Sequence, residues 1–184
     1  MKFLSNTTWA DVFAAWQQEE GIDPAWQAHA KSKGFATWAD WRGDAAAKIG
    51  AADLIWQIFA FDNPLTEIPA LLLGPFKGWQ ARVDGLTNTT FTDFINIPAN
   101  FVYQQTNPKI LSLMNNFPSP TQFIAVRRED TGALICLEGH HRATAVALAA
   151  KLGRAIDFGG VTIAIAQLPA SKCGIFNTAP VQVS

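Results

Sequence analysis

Gly139 divides the most informative stretch of this chain. Before it, Ala133 to Leu137 is a short apolar run that reads as a strand; after it, Ala143 to Leu152 follows helical spacing. A strand that turns through glycine into a helix leaves the first backbone N–H groups of that helix without partners. It also points the positive end of the helix dipole at one spot. Such a spot binds anions, most often phosphates. Here it is framed by Leu137-Glu138-Gly139-His140-His141-Arg142, whose two histidines and arginine are charge-assisted donors suited to phosphate oxygens.

The rest of the chain surrounds this turn with alternating helices and strands. Thr8-Trp9-Ala10-Asp11 opens a helix in the manner of a capping box, with Trp9, Val12, Phe13 and Trp16 on one face. Asp23-Pro24 starts a second helix, closed by Gly34, and Thr37-Trp38-Ala39-Asp40 starts a third. Two copies of Thr-Trp-Ala-Asp are too few for a repeat protein, so both threonines solve one capping problem and the aromatic face is expected to pack. Leu54 to Phe61 is rich in β-formers and ends at the turn Asp62-Asn63-Pro64. A strand there competes with a helix running on from Asp44.

Gly74-Pro75-Phe76-Lys77-Gly78-Trp79 predicts a constrained loop with Lys77 at its tip, either solvated or reaching a bound phosphate. Asn107-Pro108 caps a helix with Ile110, Leu111, Leu113 and Met114 on its apolar side. A hairpin follows: Gln122 to Arg127, a turn at Glu129 to Gly132, and Ala133 to Leu137. The helix from about His140 to Leu152 ends at Gly153. Val161 to Leu168 is the last strand, and the tail after Pro169 has no clear pattern. This order predicts an α+β (mixed α/β) fold with a small mixed sheet and packed helices. It divides into a tryptophan-rich helical segment, residues 1–50, and a domain over 51–184.

Composition narrows the function classes. The 184 residues carry a net charge of −1, which argues against a general nucleic-acid binder. Two cysteines, Cys136 and Cys173, are too few for a disulfide framework or a cysteine-rich zinc site and predict reduced thiols. No N-terminal stretch reads as a secretory signal, and no apolar run approaches the roughly 20 residues that span a bilayer. A soluble, cytoplasmic protein with no membrane partner is expected.

Around the turn, several residues have two readings each. Gly139 either lets backbone approach an anion or makes a tight turn with φ > 0. Arg142 sits in the first helical turn, where a cation opposes the dipole; it binds a phosphate or pairs with a carboxylate such as Glu138. His140 and His141 are adjacent and point in different directions. Glu138, at the strand end, either deprotonates an acceptor hydroxyl and holds magnesium or accepts hydrogen bonds from the turn and Arg142. Asp62 and Glu67 are weaker acid–base candidates. With His29 the only other histidine, there is no zinc spacing, so no protein-held metal is expected; magnesium carried by a nucleotide is the metal that fits. A P-loop and a nucleophile elbow are both missing from the sequence.

Glu138-Gly139-His140-His141-Arg142, with Ala143 and Ala145 on the following helix, resembles the Asp/Glu-Gly-His-His-Arg signature of the ParB/sulfiredoxin-like superfamily. In motif it is closest to the free-serine-kinase-like branch. The resemblance covers about Leu54 to Leu168 and leaves out the first fifty residues. It implies a small sheet packed with helices that binds nucleotide phosphates at this turn. Gly139, His141 and Arg142 would hold the phosphates, with His140, Lys77 and Arg82 as additions, and Glu138 and His141 would assist chemistry. His140 stands where sulfiredoxins carry their reactive cysteine, so sulfinic-acid repair is not expected. Neither the basic character nor the helix-turn-helix of ParB is present.

The reading is therefore a nucleotide-binding protein for ATP, ADP or CTP with magnesium, acting as a phosphotransferase or nucleotide hydrolase. The alternatives are a non-catalytic nucleotide sensor or interaction module, docking a protein partner or a second copy through its tryptophan-rich helices, and a DNA-associated protein or nuclease.

Overall fold

The computed structural model describes residues 1–83 and 88–176. A five-stranded sheet runs in the order β1-β2-β5-β3-β4, with β1 at Lys2–Thr7, β2 at Trp56–Ala60, β3 at Thr121–Arg128, β4 at Leu134–Glu138 and β5 at Val161–Leu168. Strands β3 and β5 are parallel and every other pairing is antiparallel, so the sheet is mixed. Strands β2, β5 and β3 are the interior ones, and the parallel pair carries buried apolar runs, Phe123 to Val126 and Ile163 to Ala166, because helices cover both faces.

The period of two along β3 divides the core. Phe123 and Ala125 face one helical layer, whereas Ile124 and Val126 face the other. The layer on the Ile124 and Val126 face holds α1 (Trp9–Trp16), α2 (Pro24–Ser32) and α3 (Trp38–Ile49). Thr8 caps α1 through the Asp11 amide, Asp23 caps α2, and Thr37 with Asp40 completes a capping box at α3. Their tryptophans pack as the sequence predicts: Trp16, Trp38 and Trp41 are buried against the sheet face that carries Trp56 and Ile124. A π-helical turn, Gln17–Gly21, joins α1 to α2.

The opposite layer contains α4 (Pro64–Glu67), α5 (Lys77–Gln80), α6 (Phe91–Asn96), α7 (Pro98–Thr106), α8 (Pro108–Asn115) and α9 (His140–Lys151), and α10 (Ala170–Cys173) follows β5. Helix α9 is the centre of its layer: every residue from Arg142 to Ala149 is buried. A helix apolar on all sides belongs in a core, and its alanines let α6 and α8 approach closely.

Three expectations change. The first fifty residues are not wholly helical, because Lys2–Thr7 forms an edge strand beside β2. That strand is exposed along most of its length, with Phe3 and Leu4 adjacent rather than alternating, so it carries no alternation signal. Lys77 starts the short helix α5 rather than capping a loop. Helices α6 and α7 fill a stretch for which no element was expected. Residues 177–184 of the patternless tail lie outside the described residues. Cys136 and Cys173 are both buried free thiols. No helix among the described residues is long and apolar enough to cross a membrane.

Candidate functional site

Strand β4 delivers Glu138 to the turn, and α9 begins two residues later. Gly139 has φ +104°, a left-handed conformation that L side chains rarely adopt. Its close approach is to protein rather than to open space: a Cβ there would stand 2.4 Å from Cδ1 of Phe123. The positive φ matches the tight-turn reading, and the missing side chain makes room for Phe123.

No side chain caps α9, and its first intrahelical bond runs from the Ala143 amide to the Gly139 carbonyl at 2.8 Å. The amides of His140, His141 and Arg142 therefore precede the helix's own bonding pattern. Gly139, His140 and His141 border two clefts, of about 340 Å³ and about 630 Å³.

Arg142 does not offer a free guanidinium to an anion. It is 7 % exposed. Nη1 donates to Glu19 at 2.9 Å and to the Thr121 hydroxyl, and Nη2 donates to the Gln122 carbonyl at 3.1 Å and to Glu138. Its planar face lies 4.9 Å from the Phe123 ring centre. Burial works against the charge, but the carboxylates of Glu138 and Glu19 outweigh it and hold Arg142 more firmly protonated than usual. Of the two readings open for Arg142, the carboxylate pairing is the one realised. The Glu138–Arg142 pair spans four residues, the spacing at which a helical side chain reaches back across a turn.

His140 is also committed internally. Its Nε2 accepts the Gly74 amide at 3.0 Å, which places the ring proton on Nδ1, facing Cys136 Sγ at 3.8 Å. The thiol in turn donates to the Glu138 carbonyl at 3.1 Å. Phe76, Trp79 and Phe91 pack around the ring. Burial, aided by the charges of His141 and Arg42, lowers its pKa to about 3. His140 is thus a neutral bracket between the Gly74 loop and β4, not a cationic phosphate ligand, which corrects that expectation. The burial that keeps it neutral could not be read from its neighbours in sequence.

His141 and Glu138 retain chemical freedom. His141 is half-buried, borders both clefts and packs edge-on at 5.2 Å from Trp79. No hydrogen bond engages it among the described residues. Burial, then the charges of Lys109 and Arg82, lower its pKa to about 4, so it is neutral at pH 7. Burial pushes the Glu138 carboxyl up to about 7; Arg142 opposes the rise, and Glu20 and Glu19 add to it.

Lys77 is exposed on the larger cleft and has no carboxylate partner among the described residues. Arg82 borders neither cleft; its guanidinium lies 4.3 Å over the Tyr103 ring. It acts on the site only through the field that lowers His141, a correction to its expected place beside the phosphates. Asp62 and Glu67 take up the amino group of Met1 and border neither cleft.

The far wall of the larger cleft comes from the layer outside the motif's reach. It presents Trp26 and His29 from α2, Lys33 just past its end, and Trp41 and Arg42 from α3. Arg42 pairs with Glu20 and lies 3.9 Å over the Trp41 ring. Glu19 and Glu20 are carried by the π-helical turn, a geometry frequent at functional positions. None of these residues was a sequence candidate for the phosphate site; Trp26 and Trp41 entered only as part of the tryptophan-rich docking alternative. The one signal was the pair of adjacent carboxylates ahead of Gly21, which helical periodicity alone assigns to a solvated surface.

Fold and site together describe a mixed α+β protein whose sheet is covered on both faces, with an uncapped helix start opening on a cleft between its two helical layers. Compared with known proteins, the chain matches no protein-family model, no curated protein and no solved structure.

Proposed function

We propose that the larger cleft binds the phosphate groups of a nucleotide at the start of α9, as a phosphotransferase or nucleotide hydrolase of ParB/sulfiredoxin-like type. One observation carries the reading. The uncapped start of a twelve-residue helix borders a cleft of about 630 Å³ that also presents Lys33 and Lys77, neither held by a carboxylate among the described residues. Amide donors, a helix dipole and two free ammonium groups together suit a polyphosphate. A cleft of this size is within the range that takes a nucleotide-sized ligand.

The roles differ from those the motif implies. The backbone at Gly139–His141, with Lys77 and Lys33, contacts phosphate oxygens. His141, neutral at pH 7, presents one ring N–H and one lone pair to the same region. Glu138, with its carboxyl near neutrality, takes the proton of an acceptor hydroxyl or of water. Arg142 touches no phosphate; it orients Glu138. Magnesium arrives on the nucleotide. Glu138 and Glu20, which border both clefts, are the carboxylates that would meet it there, and it would neutralise charge on the transferred group.

Isothermal titration of the full chain with ATP, ADP and CTP in magnesium tests the reading. Binding of at least one, weakened about tenfold by Lys77→Ala and by His141→Ala, is the expected result. Absence of heat and of any thermal shift with all three would remove it. A docking module built on exposed tryptophans is less well supported, since Trp16, Trp38 and Trp41 are buried and Trp9 and Trp26 half-buried.

A further inference from the structure

The larger cleft contains more aromatic surface and more unmatched donors than phosphates alone would need. Three indoles from three elements border it: Trp26 of α2, Trp41 of α3 and Trp79 of α5. Trp26 and Trp41 are stacked on each other, with centres 6.0 Å apart and planes at 29°. Trp26 is only half-buried, so part of its ring is left uncovered. Trp41 is 7 % exposed, yet its Nε1–H finds no acceptor among the described residues, and neither does the Nε–H of Arg42. Buried donors without acceptors are unfavourable and rare in folded proteins. Trp41 and Arg42 both border the cleft, and a ligand edge that carries lone pairs would satisfy both donors.

A planar ring with acceptor atoms on its edge answers both features, and a nucleobase is such a ring. We propose that Trp26 and Trp41 form the nucleobase subsite of this cleft, with Trp41 Nε1 and Arg42 Nε as donors to ring nitrogens or carbonyl oxygens of the base. The proposal rests on the phosphate reading for the other half of the ligand. It assigns a function to the N-terminal helical layer, which lies outside the stretch that carries the motif. In this arrangement the α9 turn and Lys77 hold the phosphates while the indole wall holds the base, and the nucleotide bridges the two layers.

The test titrates the full chain with ATP, inorganic tripolyphosphate and adenosine, in the wild type and in Trp26→Leu. Stacking of a base on an aromatic side chain strengthens binding about ten- to hundredfold. ATP should therefore bind tighter than tripolyphosphate by that factor. Trp26→Leu should abolish the difference while leaving tripolyphosphate binding unchanged. Equal affinities for ATP and tripolyphosphate, or a Trp26→Leu variant that weakens both alike, would overturn the subsite and leave the phosphate reading standing. Adenosine binding without tripolyphosphate binding would do the reverse. Failure of all three ligands would end both. Circular dichroism verifies that Trp26→Leu folds; if it does not, the ratio of ATP to tripolyphosphate affinity in the wild type decides alone.

Discussion

Replacing Arg142 by methionine separates a structural arginine from a ligand-binding one. Arg142 has a side chain 9 % exposed, set between Glu138 at 16 % and Glu19 at 40 %. Removing one partner of a buried pair destabilises by about 3–5 kcal/mol, because the other charge stays buried without compensation. The Glu138 pairing falls in that range. The Glu19 pairing is solvent-screened and adds at most about 1 kcal/mol. We expect a loss of about 4 kcal/mol, large beside the roughly 5–15 kcal/mol of a typical domain. With a urea slope of about 2 kcal/mol/M, the midpoint at pH 8 falls by roughly 2 M.

The pH dependence has a defined sign. Without Arg142, only the weaker pull of Arg42 opposes the rise of Glu138, so its folded pKa climbs further above the ordinary 4.5. A carboxyl raised in the folded state contributes stability that is present below its unfolded pKa and lost as pH rises through the folded one. The loss caused by Arg142→Met should therefore be smaller at pH 5 than at pH 8, and adding Glu138→Gln should recover much of it at pH 8. A midpoint shift under about 0.5 M at pH 8 would refute the network argument. So would a pH dependence of opposite sign.

Three further outcomes follow from the same geometry. Gly139→Ala forces a Cβ onto Phe123 in a left-handed backbone and should destabilise by about 2–4 kcal/mol, a Tm decrease of roughly 10 °C by calorimetry; an unchanged Tm would contradict it. His140, held neutral with a pKa near 3, contributes stability above pH 6.5 that is lost as pH falls. His140→Phe should accordingly lower the urea midpoint at pH 7.5, since the Gly74 amide loses its acceptor, yet flatten the decline between pH 6.5 and 4; an equal decline in both proteins would count against the assignment. Glu138→Gln should retain nucleotide binding by calorimetry and abolish turnover; turnover that survives would remove Glu138 as the proton acceptor.

Much of the local structure is legible in the sequence because it is set by neighbours along the chain. The Thr8, Asp23, Thr37 and Asn107 caps each bond an amide two or three residues on, and their helices begin where expected. The β3–β4 hairpin and β5 are read from apolar runs that burial on both faces requires. The same local rule also marks a helix that was passed over: Thr90 and Asp93 form a capping box at α6, matching Thr37 and Asp40 in type. Strand β1 escaped for a different reason. It gains its structure by pairing with β2, 49 to 58 residues further along the chain, and its exposed side chains leave no periodic trace.

What the sequence by itself determined is the turn at Gly139 and the elements on either side of it, because backbone sterics and capping act within a few residues. What only the tertiary structure decided is the state of each side chain at that turn. Arg142 is taken by Glu19, 123 residues earlier in the chain, and by Thr121 on β3. His140 is taken by Gly74, 66 residues earlier. Whether a charge is free or matched depends on desolvation and on partners brought close by packing, and neither is written in the spacing of the motif.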